Sequence, residues 1–108
     1  MKRSIQKRSV LWSEAALDDF NKSIAYIAKR DPSFARNVHA AISEGVNGLG
    51  NSATGRRGRV EGTYEKSVMN FPYIIAYALD QSPDGRERVV ILHVIHTARN
   101  WPKGQWPT

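Results

Sequence analysis

Two consecutive segments of the chain carry apolar side chains at the three- and four-residue spacing of an amphipathic helix. Ser13 precedes the first segment, and Asp31-Pro32 precedes the second. Serine and aspartate are suited to cap a helix N-terminus, and proline is tolerated at the first helical position. Because the connection is short, the pattern predicts an antiparallel helical hairpin whose second helix ends at Gly48, Gly50 and Asn51. The apolar positions are Ala16, Leu17, Phe20, Ile24, Ile27 and Ala28 in the first helix, and Phe34, Ala35, Val38, Ala41, Ile42, Val46 and Leu49 in the second.

The remaining apolar residues lie in short runs between turn residues, which is typical of strands. The turn segments Asn70-Phe-Pro72 and Gln81-Ser-Pro-Asp-Gly85 make successive strands antiparallel neighbours. The sequence therefore predicts an α+β fold of order β-α-α-β-β-β. In this fold the helical hairpin packs on one face of a mainly antiparallel four-stranded sheet, and the other face is left for function. The first predicted strand ends at Trp12, and the other three span Tyr64–Asn70, Tyr73–Leu79 and Arg88–Ile95.

The length of 108 residues and the 41% of hydrophobic residues predict one folded domain. We expect it to span residues 1–108, with a core from about 8 to 102 between a basic start and a tail rich in Trp and Pro. The chain has no cysteine, which excludes disulfides and thiolate metal sites and is compatible with a reducing cytoplasm. No apolar run approaches the ~20 residues of a membrane span or resembles a signal peptide. We therefore expect a cytoplasmic protein without membrane association.

The chain carries a surplus of positive charge, with sixteen Lys and Arg against ten Asp and Glu and a net charge of +6. One interpretation is a well-solvated surface. The other is a polyanionic partner, either a nucleic acid or an acidic protein segment. The three histidines are not accompanied by clustered carboxylates, so the sequence predicts no metal site and no cofactor.

The densest cluster of charge is the segment from Gly55 to Lys66, in which basic residues are interspersed with glycines. Arginine is suited to bidentate recognition of phosphate or carboxylate, and glycine allows close backbone approach. The segment lacks the Gly-Lys-Ser/Thr of a phosphate-binding Walker loop. The alternative interpretation is a solvated entrance to a hairpin. The candidate binding residues here are Arg56, Arg57, Arg59, Tyr64 and Lys66.

The last predicted strand delivers polar residues to its C-terminal end, where folding does not require them. Histidine can transfer a proton near neutral pH, and arginine can stabilise charge on a phosphate. The candidate residues in this segment are His93, His96, Arg99 and Trp101, and the alternative for His93 is a half-buried strand histidine. Strict alternation would direct one histidine to the helices and the other to the open face. It places Val90, Leu92, Val94 and His96 on one face, and Val89, Ile91, His93 and Ile95 on the other.

A complete catalytic set is not evident in the sequence. Glu61 and Glu65 are the carboxylates near the basic segment, and either could act as a general base if His96 were the acid. Either could equally pair with Arg57 or Arg59. The candidate catalytic residues are therefore limited to His96, Arg99, Arg59 and Glu65.

Aromatic residues are a further candidate feature, because nucleic-acid bases stack on aromatic rings. For Trp12, Tyr73 and Tyr77, which lie in predicted strands, packing in the core is the favoured interpretation. Trp101 and Trp106 lie in a tail flanked by prolines, and this tail could fold back on the sheet.

Four ordered motifs give the chain a likeness to a known family. They are VLWSEAALDDF at 10–20, GRVEGTYE at 58–65, PYIIAY at 72–77 and IHTARNWP at 95–102. Together they resemble the ParE/RelE superfamily of toxins from bacterial type II toxin–antitoxin systems, and they are closer to the ParE branch. The likeness covers nearly the whole chain, and the β-α-α-β-β-β fold of that family agrees with the order predicted above.

The resemblance implies a growth-inhibiting toxin of a plasmid-stabilisation type module. It also implies a cognate antitoxin, often acidic and partly disordered, that wraps the toxin in a hetero-oligomer. ParE members typically poison DNA gyrase without being enzymes, whereas RelE members are ribosome-dependent endoribonucleases that cleave mRNA.

Two departures from the family patterns bear on this choice. The C-terminal segment has Trp101 and Trp106 where RelE-like nucleases usually carry a tyrosine. Tyr64 occupies a position that is commonly arginine in ParE-like chains. Because the four motifs occur in order and no complete acid–base set is evident, we expect a ParE-like toxin that acts by binding a gyrase–DNA complex, with a RelE-like, ribosome-dependent mRNA endoribonuclease as the alternative.

Overall fold

The fold combines a helical hairpin with one mixed sheet, as given by a computed structural model that describes residues 8–107. The sheet has the strand order β1-β5-β4-β3-β2, in which β1 is parallel to β5 and all other neighbours are antiparallel. The predicted α+β class is confirmed, with five strands among the described residues instead of four. The elements are β1 (Ser9–Trp12), α1 (Glu14–Ala28), α2 (Pro32–Asn51), β2 (Arg56–Arg57), β3 (Tyr64–Ser67), β4 (Tyr73–Gln81) and β5 (Glu87–His96).

Both helices begin at the capping residues predicted from the sequence. The Ser13 hydroxyl accepts a hydrogen bond from the backbone N–H of Ala16 at 3.0 Å, and it donates to the carbonyl of Leu92 at 3.1 Å. The Asp31 carboxylate accepts from the N–H of Phe34 at 3.0 Å, ahead of the proline at the first helical position. Each cap satisfies one of the amides that a helix N-terminus leaves unpaired.

The second helix ends at Asn51, and Gly50 in its last turn allows close packing against the chain before β1. A β-carbon at Gly50 would lie 2.9 Å from the carbonyl oxygen of Arg8 and 3.2 Å from Cγ2 of Val10. Instead, the carbonyl of Gly50 accepts a hydrogen bond from the N–H of Arg8 at 2.8 Å. This glycine therefore serves a close backbone approach as well as the helix end.

The hydrophobic core lies between the helical hairpin and one face of the sheet. Tyr73 and Tyr77 belong to this cluster and Trp12 packs against it, which confirms the packing interpretation of these aromatics. Burying an aliphatic side chain of this kind contributes ~1.5–3 kcal/mol relative to leaving it exposed, so this layer is the main source of stability. Its fully buried aliphatic residues include Val38, Ile42, Val46, Leu49, Ile75, Val89 and Ile91.

Tyr77 also connects the core to the segment before β2. Its hydroxyl donates a hydrogen bond to the backbone carbonyl of Thr54 at 2.5 Å. Burial and the nearby Tyr64 raise the pKa of Tyr77, whereas Arg8 lowers it. The hydroxyl therefore remains a neutral donor at physiological pH.

A β-bulge in β5 changes which of its side chains face the helices. Two consecutive residues of β4 pair with Ile91 and His93, so Leu92 is the extra residue of the bulge. Beyond it, Val94 returns to the core cluster that also contains Ile91. The prediction of strict alternation along this strand is therefore wrong. Val89 and Ile91 share the helix side with Val94, and not with His93.

The boundaries of the other strands differ modestly from the prediction. The basic segment contains the short strand β2, which pairs with β3. Strand β3 ends at Ser67 instead of Asn70, because the turn to β4 holds Asn70 at a φ of 71°, a conformation that asparagine tolerates. Within residues 8–107, no helix has the length and apolar character needed to cross a membrane.

Candidate functional site

The candidate site lies on the face of the sheet that is turned away from the helices. Along β4, Ala76 alternates with Ile75 and Tyr77, whose side chains belong to the core cluster, so Ala76 points to the opposite side. A row of cross-strand neighbours crosses this face through Arg56, Glu65, Ala76 and His93, one from each of the strands β2 to β5.

Glu65 is the one charged residue in the described chain that is buried, with 3% of its surface exposed. One carboxylate oxygen accepts a hydrogen bond from Nη2 of Arg56 at 3.2 Å, and the other accepts from the backbone N–H of Arg59 at 2.7 Å. A buried carboxylate needs such partners, because its lost hydration would otherwise be very costly. Glu65 therefore holds the chain between β2 and β3 against the sheet.

The loop between β2 and β3 closes at Gly58. The N–H of Gly58 donates to the carbonyl of Thr63 at 2.8 Å. A β-carbon at Gly58 would lie 2.3 Å from Oγ1 of Thr63, so a larger residue does not fit without moving the loop. This tight closure brings the backbone of Arg59 to the carboxylate of Glu65.

The same loop is attached to the C-terminal tail, defined as residues 97–107. The guanidinium of Arg59 lies 4.1 Å from the ring centroid of Trp101, in cation–π geometry. The carbonyl of Arg59 accepts a hydrogen bond from the N–H of Gly104 at 3.0 Å. Within the tail, Nε1 of Trp101 donates to the carbonyl of Gln105 at 2.6 Å. The tail thus forms a closed turn against the basic segment.

The far end of the tail contacts the same face of the sheet at the other end of the row, on β5. The ring of Trp106 lies 4.6 Å from that of His93 and 6.0 Å from that of Trp101. Nδ1 of His93 is 2.9 Å from Oδ2 of Asp19 in α1, and the same oxygen accepts from the N–H of Val94 at 3.1 Å. His93 therefore joins the first helix, the last strand and the tail.

Taken together, these contacts extend across the sheet from Arg59 through the two indoles to His93. Ala76 lies midway along the row beneath them and has no exposed surface. The face that the sequence predicted to be open is therefore partly covered by the tail. The suggestion that Trp101 and Trp106 fold back on the sheet is confirmed.

An open cleft of about 460 Å³ remains beside Arg59. Its one carboxylate, from Glu65, is already bound by Arg56 and by the loop backbone. Positive charge with forked arginine donors is suited to phosphate or carboxylate groups. We refer to this feature as the basic cleft, and it is lined by Arg56, Arg57, Gly58, Arg59, Glu65, Trp101 and Lys103.

Several of the residues predicted from the sequence meet in the basic cleft. The structure brings Trp101, from the C-terminal tail, to the arginines of the segment that begins at Gly55. Tyr64 and Lys66 do not join them, because they alternate with Glu65 along β3. Tyr64 stacks on Tyr77 with 5.5 Å between ring centroids, and Nζ of Lys66 donates to Oγ1 of Thr54 at 2.9 Å.

His96 is separated from the basic cleft by the sheet. It pairs with Tyr73, a member of the core cluster, and its ring meets the Tyr73 ring edge-on at 5.1 Å. Nδ1 of His96 accepts a hydrogen bond from the N–H of Ala98 at 3.0 Å. Arg99 follows in the exposed turn, where its N–H donates to the carbonyl of His96 at 3.0 Å. The structure therefore does not place His96 beside Arg59.

Two residues of the site were not predicted. Lys103 lines the basic cleft, and Asp19 holds His93 from the first helix. In the sequence, Lys103 is distinguished only by its position two residues after Trp101. Its place in the cleft can be inferred only once the tail is known to fold back on the sheet. Asp19 resembles its exposed neighbour Asp18 in sequence, and no local pattern distinguishes them.

A second cleft of about 570 Å³ lies on the helical hairpin. Its lining is mainly apolar, which is typical of a surface that receives a protein side chain. We refer to it as the apolar cleft, and it is lined by Ile24, Ala28, Pro32, Ala35, Arg36 and His39. Across residues 8–107, no cluster of three or more His, Asp or Glu is arranged to hold a metal ion.

Comparison with known proteins places this fold in a family. The family model described as the ParE toxin of the type II toxin–antitoxin system parDE matches residues 10–101. A curated protein from Sinorhizobium fredii (strain NBRC 101917 / NGR234), named "Putative toxin Y4kP", is 34% identical over 100 residues. The aligned region covers 92% of this chain and 98% of that protein.

Two solved structures share the fold. A chain of the chromosomal ParDE toxin–antitoxin system from P. aeruginosa matches with a TM-score of 0.73 at 19% identity, covering 83% of this chain and 96% of that one. A chain of the RelBE2 toxin–antitoxin complex from Mycobacterium tuberculosis matches with a TM-score of 0.58 at 24% identity, covering 88% of this chain and 97% of that one. The family model and the curated relative both extend over nearly the whole sequence, so the chain belongs to the ParE toxin family of type II toxin–antitoxin systems.

Proposed function

We propose that this toxin acts in the cytoplasm by binding and poisoning DNA gyrase, without catalysing a reaction itself, and that a cognate antitoxin neutralises it. The proposal follows the expectation for ParE-type chains. The observation that carries it is the lack of an assembled acid–base pair at the basic cleft within residues 8–107.

The candidate proton-transfer groups are either occupied or remote. Both oxygens of Glu65 accept hydrogen bonds inside the protein, from Arg56 and from the Arg59 backbone. His96 lies on the helix side of the sheet and already accepts a hydrogen bond from Ala98. General acid–base catalysis requires groups within hydrogen-bond reach of the reacting atoms. This arrangement therefore supports a toxin that binds its target.

Two features support an antitoxin as partner. The solved structures that share this fold come from toxin–antitoxin systems. The apolar cleft on the helices and the net charge of +6 suit a protein that combines apolar anchors with an acidic segment. We expect a hetero-oligomer of toxin and antitoxin, with the antitoxin encoded beside the toxin as a short acidic protein.

The proposal is tested with purified toxin, DNA gyrase, ATP and supercoiled plasmid. After detergent and protease treatment, linear plasmid should accumulate in proportion to the toxin, because a poisoned gyrase holds cleaved DNA. The same toxin incubated beforehand with its antitoxin serves as the control and should give no linear product. If gyrase supercoils and religates DNA normally at saturating toxin, gyrase is excluded as the target.

The RelE-like alternative, a ribosome-dependent mRNA endoribonuclease, is favoured by the fold shared with the RelBE2 complex. The sequence assigned Arg59, His96 and Arg99 to this reaction, but the sheet separates His96 from Arg59, so the three could meet at one phosphate only after a rearrangement. Primer extension on cellular mRNA after toxin induction decides between the two. If wild-type toxin cuts mRNA at positions set by the codons and His96→Ala does not, the nuclease is established. Intact mRNA after induction of the wild type would eliminate the nuclease.

A further inference from the structure

The positive charge of the described chain is concentrated in the basic cleft. Residues 8–107 contain thirteen Lys and Arg and ten Asp and Glu. The cleft lining includes four of these cations and one of these carboxylates, Glu65. The other described residues therefore hold nine charges of each sign. The whole charge surplus of this part of the chain lies in one cleft.

Most cations in this cleft are not neutralised by the protein. Elsewhere on the sheet, arginines pair with carboxylates, as Arg88 does with Asp80 at 2.7 Å. In contrast, Arg57 and Lys103 form no ion pair with any residue between 8 and 107, and Arg59 packs on an indole instead of a carboxylate. Three cations therefore line one open space, where mutual repulsion favours an anionic ligand.

The lining of the basic cleft indicates the class of that ligand. Protein interfaces place apolar anchors at their centre and are depleted there of charged residues other than arginine, whereas nucleic-acid interfaces are polar and strongly positive. Trp101 is the one apolar side chain in this cleft, and it is engaged by Arg59 and stacked with Trp106. The mainly apolar surface for a protein partner is instead the apolar cleft on the helices.

We propose that the basic cleft binds the phosphodiester backbone of a nucleic acid, with Arg57, Arg59 and Lys103 as the phosphate contacts. Glu65 and Trp101 are positioning residues, because they fix the backbone and the guanidinium of Arg59. This inference deepens the proposed function and rests on it in one respect: the nucleic acid expected there is the duplex DNA that gyrase holds. The toxin would then attach to the DNA of its target complex as well as to the enzyme.

The test is the salt dependence of binding, measured by fluorescence anisotropy with a labelled 20-base-pair DNA duplex and a single-stranded RNA of equal length. Each phosphate neutralised on duplex DNA contributes about −0.9 to the slope of log Kobs against log salt, and about −0.7 on a single strand. Arg57→Gln and Lys103→Gln should each reduce the slope on DNA by about 0.9 and weaken binding irrespective of sequence. Because neither side chain has an ion pair within residues 8–107, both variants should fold normally, and circular dichroism checks this.

The matched control is Lys29→Gln, which removes the same charge from an exposed position outside the cleft. Its slope should equal that of the wild type. If Arg57→Gln and Lys103→Gln keep the wild-type slope, or if they weaken only the antitoxin complex, the inference is overturned. Binding to RNA alone, with the same dependence on Arg57 and Lys103, retains the inference but contradicts the gyrase proposal. DNA binding that depends on Arg57 and Lys103, together with gyrase that the toxin does not affect, would likewise retain the inference and contradict the gyrase proposal.

Discussion

The carboxylate of Asp19 in α1 accepts a hydrogen bond from the backbone N–H of Val94 in β5, 3.1 Å away. Strand β1 pairs with β5 only as far as Ile91, so this N–H lies beyond the end of the neighbouring strand. The helix thus supplies the acceptor that a longer β1 would have provided, and the same oxygen binds His93. Without it, a buried strand would present an unpaired amide at the sheet edge.

Removing this charge should destabilise the protein. For Asp19→Asn we expect a loss of ~1–3 kcal/mol in the free energy of unfolding, because a charged acceptor of two hydrogen bonds is replaced by a weaker one. Asp18→Asn is the matched control. Asp18 makes an exposed pair with Lys22 at 2.9 Å, four residues along the helix, and such pairs contribute at most about 0.5 kcal/mol. Urea unfolding measures both, and equal effects would contradict this role of Asp19.

The C-terminal tail should detach when its terminal anchor is removed. Trp106→Ala eliminates the contact with His93 and the indole pair with Trp101. We expect the amide of Gly104, which donates to Arg59, to exchange with solvent at least tenfold faster, as measured by hydrogen exchange. Trp106→Phe keeps an aromatic ring and should retain most of the protection. Unchanged exchange in Trp106→Ala would show that the tail is held elsewhere.

Glu65→Gln should loosen the basic cleft. The amide keeps one carbonyl oxygen, so either Arg56 or the N–H of Arg59 loses its acceptor. Losing one hydrogen bond to a buried charged group costs ~1.5–3 kcal/mol, and we expect that decrease in the free energy of unfolding by urea titration. Glu61→Gln, at an exposed position in the same loop, should change it by less than ~0.5 kcal/mol. A neutral effect of Glu65→Gln would contradict the anchoring role.

The helices were predictable because their signals are local. Ser13 and Asp31 cap the helices that follow them, and the capping bonds span only three residues. The bulge at Leu92 was not predictable, since Leu92 is as apolar as its neighbours and only the pairing with β4 reveals the extra residue. The bulge also separates His93 from the face of Val89 and Ile91, with which strict alternation had grouped it.

The candidate site was predictable in part. Its arginines form a dense local cluster, so the composition of the segment from Gly55 to Lys66 was informative. Which of its residues share a face depends on the register of β3, and this places Glu65 in the cleft while Tyr64 and Lys66 lie on the other side. The contribution of Lys103 depends on the path of the tail, which no periodic pattern encodes.

Alkaline pH should reveal the role of Tyr77. Because burial raises its pKa above the ordinary 10.0, the unfolded chain ionises first. The stability contribution is complete below pH 10 and is lost as the pH rises through the folded-state pKa. Tyr77→Phe should cost ~1 kcal/mol at pH 7 through loss of the bond to Thr54, and its stability should decline less steeply above pH 10 than that of the wild type.

The matched control for this prediction is Tyr26→Phe, since Tyr26 is 60% exposed. It should leave both the stability at pH 7 and the alkaline decline nearly unchanged. Urea unfolding at pH 7 and at pH 10.5 gives both quantities. An equal alkaline decline in the wild type and in Tyr77→Phe would assign the effect to other groups.

The parallel pairing of β1 with β5 has a consequence for biosynthesis. Ser9 pairs with Arg88, and the flanking ion pair of Arg8 and Glu87 joins residues 79 positions apart. The helical hairpin can form from local contacts during translation, but the sheet that covers its apolar side is complete only when the last strand has left the ribosome. Such long-range pairing slows folding and leaves apolar surface uncovered in the nascent chain. The face of the sheet that carries the basic cleft is therefore complete only after the last strand and the tail that follows it have been synthesised.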